Sequence, residues 1–192
     1  MTSTQRRLTG RIQVGLPPGE AFRLFTPRGE QDWANGWHPR FPVPAPDDTE
    51  PGTVFETNAH GEDTVWLVLD RQPGKRISYA RVTPGSQAGT VTITINGSGR
   101  HSEVEVTYQL TALTATAGHK LREFADGYRA YLQSWQDAIT AWLHQRLPPT
   151  TTATDSHPAS PLICEEPTAG PRQRVAGKSA GRAALSRLTS TK

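Results

Sequence analysis

One long amphipathic stripe limits what this chain can fold into more than any other feature. From residue 121 to 143, apolar side chains recur at the 3.6-residue period of an α-helix, and charged residues occupy the opposite side. The pattern predicts a helix over residues 117–146, roughly 40 Å long, with Pro148 and Pro149 ending it. A helix of this length can bury its apolar face along a whole curved sheet.

The residues before this helix predict such a sheet. Alternating apolar and polar residues indicate six strands, separated by short turns that contain Gly, Pro or acidic residues. Short turns between consecutive strands indicate an antiparallel meander with one apolar face. The predicted strands cover residues 8–16, 53–58, 65–69, 77–83, 90–96 and 104–110. Two short helices are predicted between the first two strands, at 20–25 and 27–33, followed by a proline-rich ordered loop at 39–51.

Composition divides the chain near residue 147. The mean hydropathy of −0.58 is low for a folded protein, but the shortfall is concentrated after Leu147, where hydrophobic periodicity stops. A segment with so few aromatic and branched aliphatic residues cannot offset the entropy cost of ordering. We therefore expect one domain over residues 1–147 and a disordered, Pro/Thr/Ala-rich basic tail over residues 148–192.

Charge divides at the same place. Of the 21 Lys and Arg residues and 18 acidic residues, six and three lie in the tail, so the domain is formally neutral. A neutral domain without a Lys/Arg stripe argues against nucleic-acid binding. The spacing of Arg174, Lys178 and Arg182 allows a weak cationic helix, although two intervening glycines disfavour it. An unstructured solubilising tail is the preferred alternative, and its partner is unknown.

The remaining sequence signals favour a cytoplasmic protein without a dedicated catalytic or metal centre. The single cysteine, Cys164, lies in the tail, so no intramolecular disulfide is possible. No signal peptide is recognisable and no window is apolar enough for a membrane span. Metal-ligand spacings and nucleophile motifs are absent, so we predict no metal, no cofactor and no assigned catalytic residue. His38 with Asp32 could form an acid–base pair, but a histidine before a proline on a loop is more often simply exposed.

An aromatic, turn-rich segment follows the predicted short helices. Trp33 and Trp37 lie four residues apart around Gly36, and Phe41 follows between two prolines. Aromatic residues in such a stretch cover an apolar surface. Two interpretations stay open: the tryptophans plug the open end of the core, or they gate the mouth of a cavity.

The order of elements and several motifs resemble a known superfamily. The motif residues are Phe22, Phe25, Trp33-Ala-Asn-Gly-Trp-His-Pro39, Gly52-Thr-Val-Phe55, Trp66, Tyr79-Ala-Arg-Val-Thr-Pro-Gly85, Val106-Thr-Tyr108, Leu113, Trp135 and Ile139. Over residues 7–146 the chain resembles the START-like, or SRPBCC, superfamily. That superfamily includes birch-pollen-allergen-like proteins, polyketide cyclases/dehydratases and heat-shock-protein ATPase activators. The resemblance implies an α+β helix-grip fold, in which a curved antiparallel sheet of six or seven strands wraps around the long C-terminal helix.

The resemblance also implies an apolar cavity between the sheet and the long helix. The bulky helix face predicts that the cavity is small. We expect a small apolar or amphipathic molecule as partner, without an assigned reaction. Some of the candidate residues should supply the few polar groups that such a site contains. The candidate binding residues are Trp33, Trp37, His38, Phe41, Phe55, Tyr79, Arg81, Tyr108, Phe124, Tyr128 and Trp135. The alternatives are a polyketide cyclase-like enzyme acting on an aromatic substrate, and an interaction module similar to the ATPase activators.

Overall fold

The computed structural model describes residues 4–59 and 61–146, so the predicted tail and its boundary at residue 147 lie outside the described residues. The chain starts with strand β1 (Gln5–Val14), helix α1 (Pro18–Arg23) and a 3₁₀ turn (Gly29–Asp32). Five strands and a long helix follow. These are β2 (Val54–Ala59), β3 (Glu62–Gln72), β4 (Arg76–Thr83), β5 (Gln87–Ser98), β6 (His101–Ala112) and α2 (Ala115–Arg146).

All strands pair antiparallel in one six-stranded sheet of order β1-β6-β5-β4-β3-β2. Strands β2 to β6 form a meander, and β1 is added beside β6. The predicted helix-grip α+β architecture is confirmed. The proline-rich loop contributes only one bridge to the sheet edge, where Arg40 pairs with Glu56.

Local packing shortens the second predicted helix. Residues 27–33 are not a regular helix, because only the four residues Gly29–Asp32 form a 3₁₀ turn. The backbone N–H of Gly29 donates to Thr26 Oγ1 at 3.0 Å. A Cβ atom at position 29 would lie 1.7 Å from the carbonyl oxygen of Arg23. The chain therefore folds back tightly on α1, and only glycine fits at this approach.

The long helix packs on one half of the concave face. The Tyr128 hydroxyl donates to the carbonyl of Val106 on β6 at 2.8 Å, and the backbone N–H of Gln13 on β1 donates to Gln136 Oε1 at 2.7 Å. Gly10 lets β1 approach closely, since a Cβ atom there would lie 2.5 Å from Leu132 Cδ1. Because α2 packs against β1 and β6, space remains over the strands on the other side of the sheet.

The proline-rich loop is fixed to the outside of β3. Arg71 on that strand binds the side chains of Asp47, Thr49 and Glu50. Hydrogen bonds from the Thr49 side chain and from Arg71 lower the pKa of Asp47 to about 2. The loop is thus ordered, as its sequence predicts. In residues 4–59 and 61–146, no helix has both the length and the apolar character that a membrane crossing requires.

Candidate ligand-binding cavity

A cavity of about 660 Å³ lies between strands β2–β6 and helix α2. The segment 27–37, which follows α1, covers it. Ligand pockets in proteins typically have volumes of about 300–1,000 Å³, and this cavity lies within that range. Its lining residues are Pro27, Glu30, Trp33, Ala34, Asn35, Trp37, Phe55, Thr57, Glu62, Thr64, Trp66, Tyr79, Arg81, Gln87, Val91, Ile93, Tyr108, Phe124, Tyr131, Ser134, Trp135 and Ala138.

The register of the strands builds the floor of the cavity from two rows of side chains. In the first row, Phe55 on β2 lies opposite Trp66 on β3, which lies opposite Arg81 on β4. In the second row, Tyr79 on β4 lies opposite Val91, which lies opposite Tyr108. Cross-strand neighbours on one face pack directly against each other. The alternation of the sequence therefore places an arginine among aromatic residues.

The two tryptophans of the covering segment are held by hydrogen bonds to backbone carbonyls at its start and just before it. Trp33 Nε1 donates to the carbonyl of Leu24 at 2.7 Å, and Trp37 Nε1 donates to the carbonyl of Pro27 at 2.8 Å. Trp33 also packs edge-on against Trp135 of α2, with 5.4 Å between ring centroids. Trp37 packs edge-on against Trp66 at 5.5 Å. Both rings belong to the packed interior and also form the wall of the cavity.

Arg81 brings a positive charge into this aromatic environment. Its Cζ lies 5.1 Å from the centroid of the Trp66 ring, within the range of a cation–π contact. One N–H of its guanidinium donates to Thr83 Oγ1 at 3.3 Å. The Nε atom is buried and has no hydrogen-bond partner among the described residues. No carboxylate of the described chain lies within 4.0 Å of the guanidinium.

Glu30 is the second unusual polar group. It lies on the 3₁₀ turn, and its side chain lines the cavity with only 7% of the residue exposed. Removal from water raises the pKa of its carboxyl to about 8, because burial disfavours the charged form. Glu30 is therefore mostly protonated at neutral pH.

Three tyrosine hydroxyls of the cavity have pKa values that burial raises above the ordinary value. Tyr79 donates to the carbonyl of Phe25 at 2.9 Å, so its hydroxyl holds the segment after α1 on the sheet. Burial, followed by the neighbouring Tyr131, raises the pKa of Tyr108 well above its ordinary value. Burial likewise raises the pKa of Tyr131. All three hydroxyls are thus neutral donors across the ordinary pH range.

Eight of the eleven predicted binding residues line one cavity, so the sequence brings most of the candidate set to one place. They are Trp33, Trp37, Phe55, Tyr79, Arg81, Tyr108, Phe124 and Trp135.

Three predicted residues lie outside the cavity. His38 is exposed, because the chain turns away after Trp37 toward the sheet edge at Arg40. Phe41 packs on the far side of Phe55, with 5.8 Å between centroids, beneath the guanidinium of Arg28. Tyr128 faces β6, and its hydroxyl is bonded to the backbone there.

The sequence interpretation missed seven polar residues of the lining: Glu30, Asn35, Thr57, Glu62, Thr64, Gln87 and Ser134. It also omitted Tyr131 from the binding set, although Tyr131 lies on the helix stripe between Phe124 and Trp135. A signal for Glu30 was present, because Pro27, Glu30, Ala34 and Trp37 recur at intervals of three and four residues. That spacing places them on one side of a turn of helix.

No sequence-family model matches the chain, and no curated protein matches it in sequence. Several solved structures match it in three dimensions. Protein MLL2253 from Mesorhizobium loti is 18% identical, with a TM-score of 0.55 over 73% of this chain and 98% of that one. Norcoclaurine synthase from Thalictrum flavum is 10% identical, with a TM-score of 0.54 over 76% and 90%. The Aha1 protein from Colwellia psychrerythraea is 15% identical, with a TM-score of 0.50 over 70% and 96%.

These structures define the class of fold. The chain has the helix-grip fold, and its predicted resemblance to the START-like superfamily is confirmed at the level of the fold. At identities of 10–18%, the likeness extends no further than the fold, because one fold serves many unrelated functions.

Proposed function

We propose that the domain binds a small hydrophobic or amphipathic molecule in the cavity between the sheet and α2. The observation that carries this proposal is the cavity itself, about 660 Å³ in volume and walled by tryptophan, phenylalanine and tyrosine rings. A few placed polar groups, among them Arg81 and Glu30, interrupt the apolar walls. This combination is typical of small-molecule sites.

A structural neighbour supports the size and chemistry of such a ligand. The norcoclaurine synthase structure is a complex with dopamine and hydroxybenzaldehyde. A helix-grip fold can therefore hold small aromatic molecules. The aromatic walls of the present cavity offer the edge and face contacts that such rings prefer.

Isothermal titration calorimetry on the full chain tests the proposal. The ligands are 2-naphthol, 2-naphthoic acid and dodecanoic acid, and we expect saturable one-to-one binding of at least one of them. Ala138→Trp places a large ring in the cavity and should abolish that binding. Ala141→Trp is the matched control, because Ala141 lies on the exposed side of the same helix. The proposal fails if all three ligands show no heat of binding, or if both variants behave like the unmodified protein.

One observation favours a second candidate, an enzyme similar to polyketide cyclases. Glu30 places a carboxyl with a pKa of about 8 on the cavity wall, and a general acid or base works best near its own pKa. His38, which the sequence suggested for this role, is exposed outside the cavity. If an aromatic polyketide is turned over, Glu30→Gln should remove turnover and retain binding. Asp32→Asn, an exposed neighbour, should change neither, and unchanged turnover in Glu30→Gln would exclude the assignment.

A further inference from the structure

We propose that the cavity selects aromatic carboxylic acids, and that Arg81 anchors the carboxylate. This inference rests on the proposed binding function, since it identifies the chemical class of the ligand for the same cavity.

The guanidinium is positioned by a chain of contacts. Trp66 Nε1 donates to Thr57 Oγ1 at 3.0 Å, and the Trp66 ring lies parallel to the Phe55 ring with an interplanar angle of 3°. Arg81 lies over that fixed indole. An arginine that stacks on an aromatic face keeps its N–H groups in the guanidinium plane, where they can form a fork for a carboxylate.

The protein leaves most of this hydrogen-bonding capacity unused. A guanidinium has five N–H donors, and the described residues accept only one bond from Arg81, at 3.3 Å to Thr83 Oγ1. Arg81 is half-buried, and removing a cation from water is costly unless it is paired. Three arginines on the strands have acidic partners: Arg11 with Glu105, Arg71 with Asp47 and Arg76 with Asp70. Arg81 lines the cavity, and no described residue supplies it with a counter-ion.

The other charges of the lining do not cancel that of Arg81. Glu62 lies at the cavity rim and is paired with Lys120 at 2.8 Å. Glu30 is protonated below about pH 8 because of its burial. At neutral pH the cavity therefore carries one unpaired positive charge. A cationic amine would be repelled by Arg81, whereas a carboxylate would be attracted.

The charge and shape of the ligand can be inferred from Arg81 and from the aromatic walls of the cavity. One guanidinium matches one planar, singly charged carboxylate through two parallel hydrogen bonds. Among residues 4–59 and 61–146, no second cation lines the cavity to neutralise a doubly charged phosphate. The remaining walls are aromatic rings from the sheet, the helix and the covering segment. A flat ring system attached to one carboxylate fits this arrangement.

Calorimetric titration of the full chain with three naphthalenes of nearly equal size tests the inference. The probes are 2-naphthoic acid, 2-naphthamide and 2-(aminomethyl)naphthalene, used near pH 6.5, where the acid is ionised. We expect the acid to bind about 10- to 100-fold more tightly than the amide, as charge-assisted hydrogen bonds predict. The amine should bind more weakly than the amide.

Variants then assign the selectivity to Arg81. Arg81→Gln should reduce affinity for the acid to that for the amide and leave the amide unchanged. Arg76→Gln makes the same charge change on the same strand outside the cavity and should preserve the acid preference. Arg81→Lys keeps the charge but not the fork, and should retain only part of the preference. Circular-dichroism melting checks each variant, and if Arg81→Gln does not fold, the Arg81→Lys comparison decides.

The outcomes separate the two proposals. Equal affinity for acid and amide in the unmodified protein overturns the carboxylate inference and leaves ligand binding intact. Full acid preference in Arg81→Gln or in Arg81→Lys also overturns it, because the fork would then be dispensable. If none of the three probes binds, the inference and the proposed function fall together.

Discussion

Glu30 shows how position alone changes the behaviour of a common residue. Asp32, two residues later on the same turn, is exposed, whereas Glu30 is buried in the cavity wall. The pKa of the Glu30 carboxyl is about 8 in the folded chain and near 4.5 when unfolded. The folded state therefore binds one more proton than the unfolded state between these values, and stability falls as pH rises through this window.

Glu30→Gln should consequently stabilise the protein at high pH. The amide resembles the protonated acid, so the two proteins should be equally stable below about pH 4.5. Above pH 8 the variant should be more stable by roughly 3–5 kcal/mol. Urea unfolding from pH 4.5 to 9 measures the difference.

Asp32→Asn is the control for that titration, because Asp32 is exposed and should give a difference that does not follow the same window. A stability gap between Glu30→Gln and the unmodified protein that stays constant with pH would contradict the assignment.

Arg81 is the second single residue whose surroundings determine its role. Its value to a ligand comes from the absence of a carboxylate partner among residues 4–59 and 61–146.

At the scale of elements, the 3₁₀ turn is the part that a regular helix could not replace. Gly29→Ala should distort it, because the added Cβ would meet the backbone of Arg23 at 1.7 Å and 2.8 Å. Backbone atoms cannot yield as a flexible side chain can. We expect a loss of about 1–3 kcal/mol in the free energy of unfolding, together with weaker ligand binding, because Glu30 and Trp33 would move.

Gly19→Ala provides the comparison for Gly29→Ala. Gly19 lies in helix α1, and a Cβ atom there would contact nothing within 4 Å. We expect unchanged stability or a gain of up to about 1 kcal/mol from helix propensity. Denaturant unfolding of both variants, with calorimetric titration of a bound naphthalene, measures the two effects. Equal behaviour of the two variants would show that the turn tolerates a side chain.

The elements also show where sequence reasoning succeeds. Helix α2 begins at Ala115 and ends at Arg146, so its start differs from the predicted one by two residues. The prediction was close because a long stripe of apolar residues at the 3.6-residue period is compatible only with a helix. Strands β3 to β6 were recognisable from alternation. The 3₁₀ turn was not, because its shape depends on a contact between Gly29 and α1. Glu30 was missed for that reason, although its spacing from Ala34 and Trp37 places it on the same side of the turn as those cavity residues.

At the scale of the whole molecule, the cavity depends on where α2 lies across the sheet. Packing against β1 and β6 is fixed by contacts such as Gly10 with Leu132, and the space over β2–β5 remains open. The sequence identifies the apolar face of the helix but not its lateral position. The sequence therefore could not determine the size of the cavity, although eight of the eleven candidate residues lie on its walls.

The domain boundary gives a prediction at this scale. A chain ending at residue 147 should melt at the same temperature as the full chain and bind a naphthalene with the same affinity, because the described fold is complete by Arg146. Removing residues 148–192 also changes the formal net charge from +3 to zero. Thermal melting and calorimetry of both proteins check this. A lower melting temperature for the shortened chain would show that the tail supports the domain.

The concentration of tryptophan around the cavity has a practical consequence. Four of the five tryptophans, at positions 33, 37, 66 and 135, line it, and the fifth, Trp142, lies outside beneath the guanidinium of Arg146. Intrinsic fluorescence is thus dominated by the walls of the site. A Trp142→Phe protein would emit from cavity residues alone, so the molecule carries its own optical reporter of occupancy.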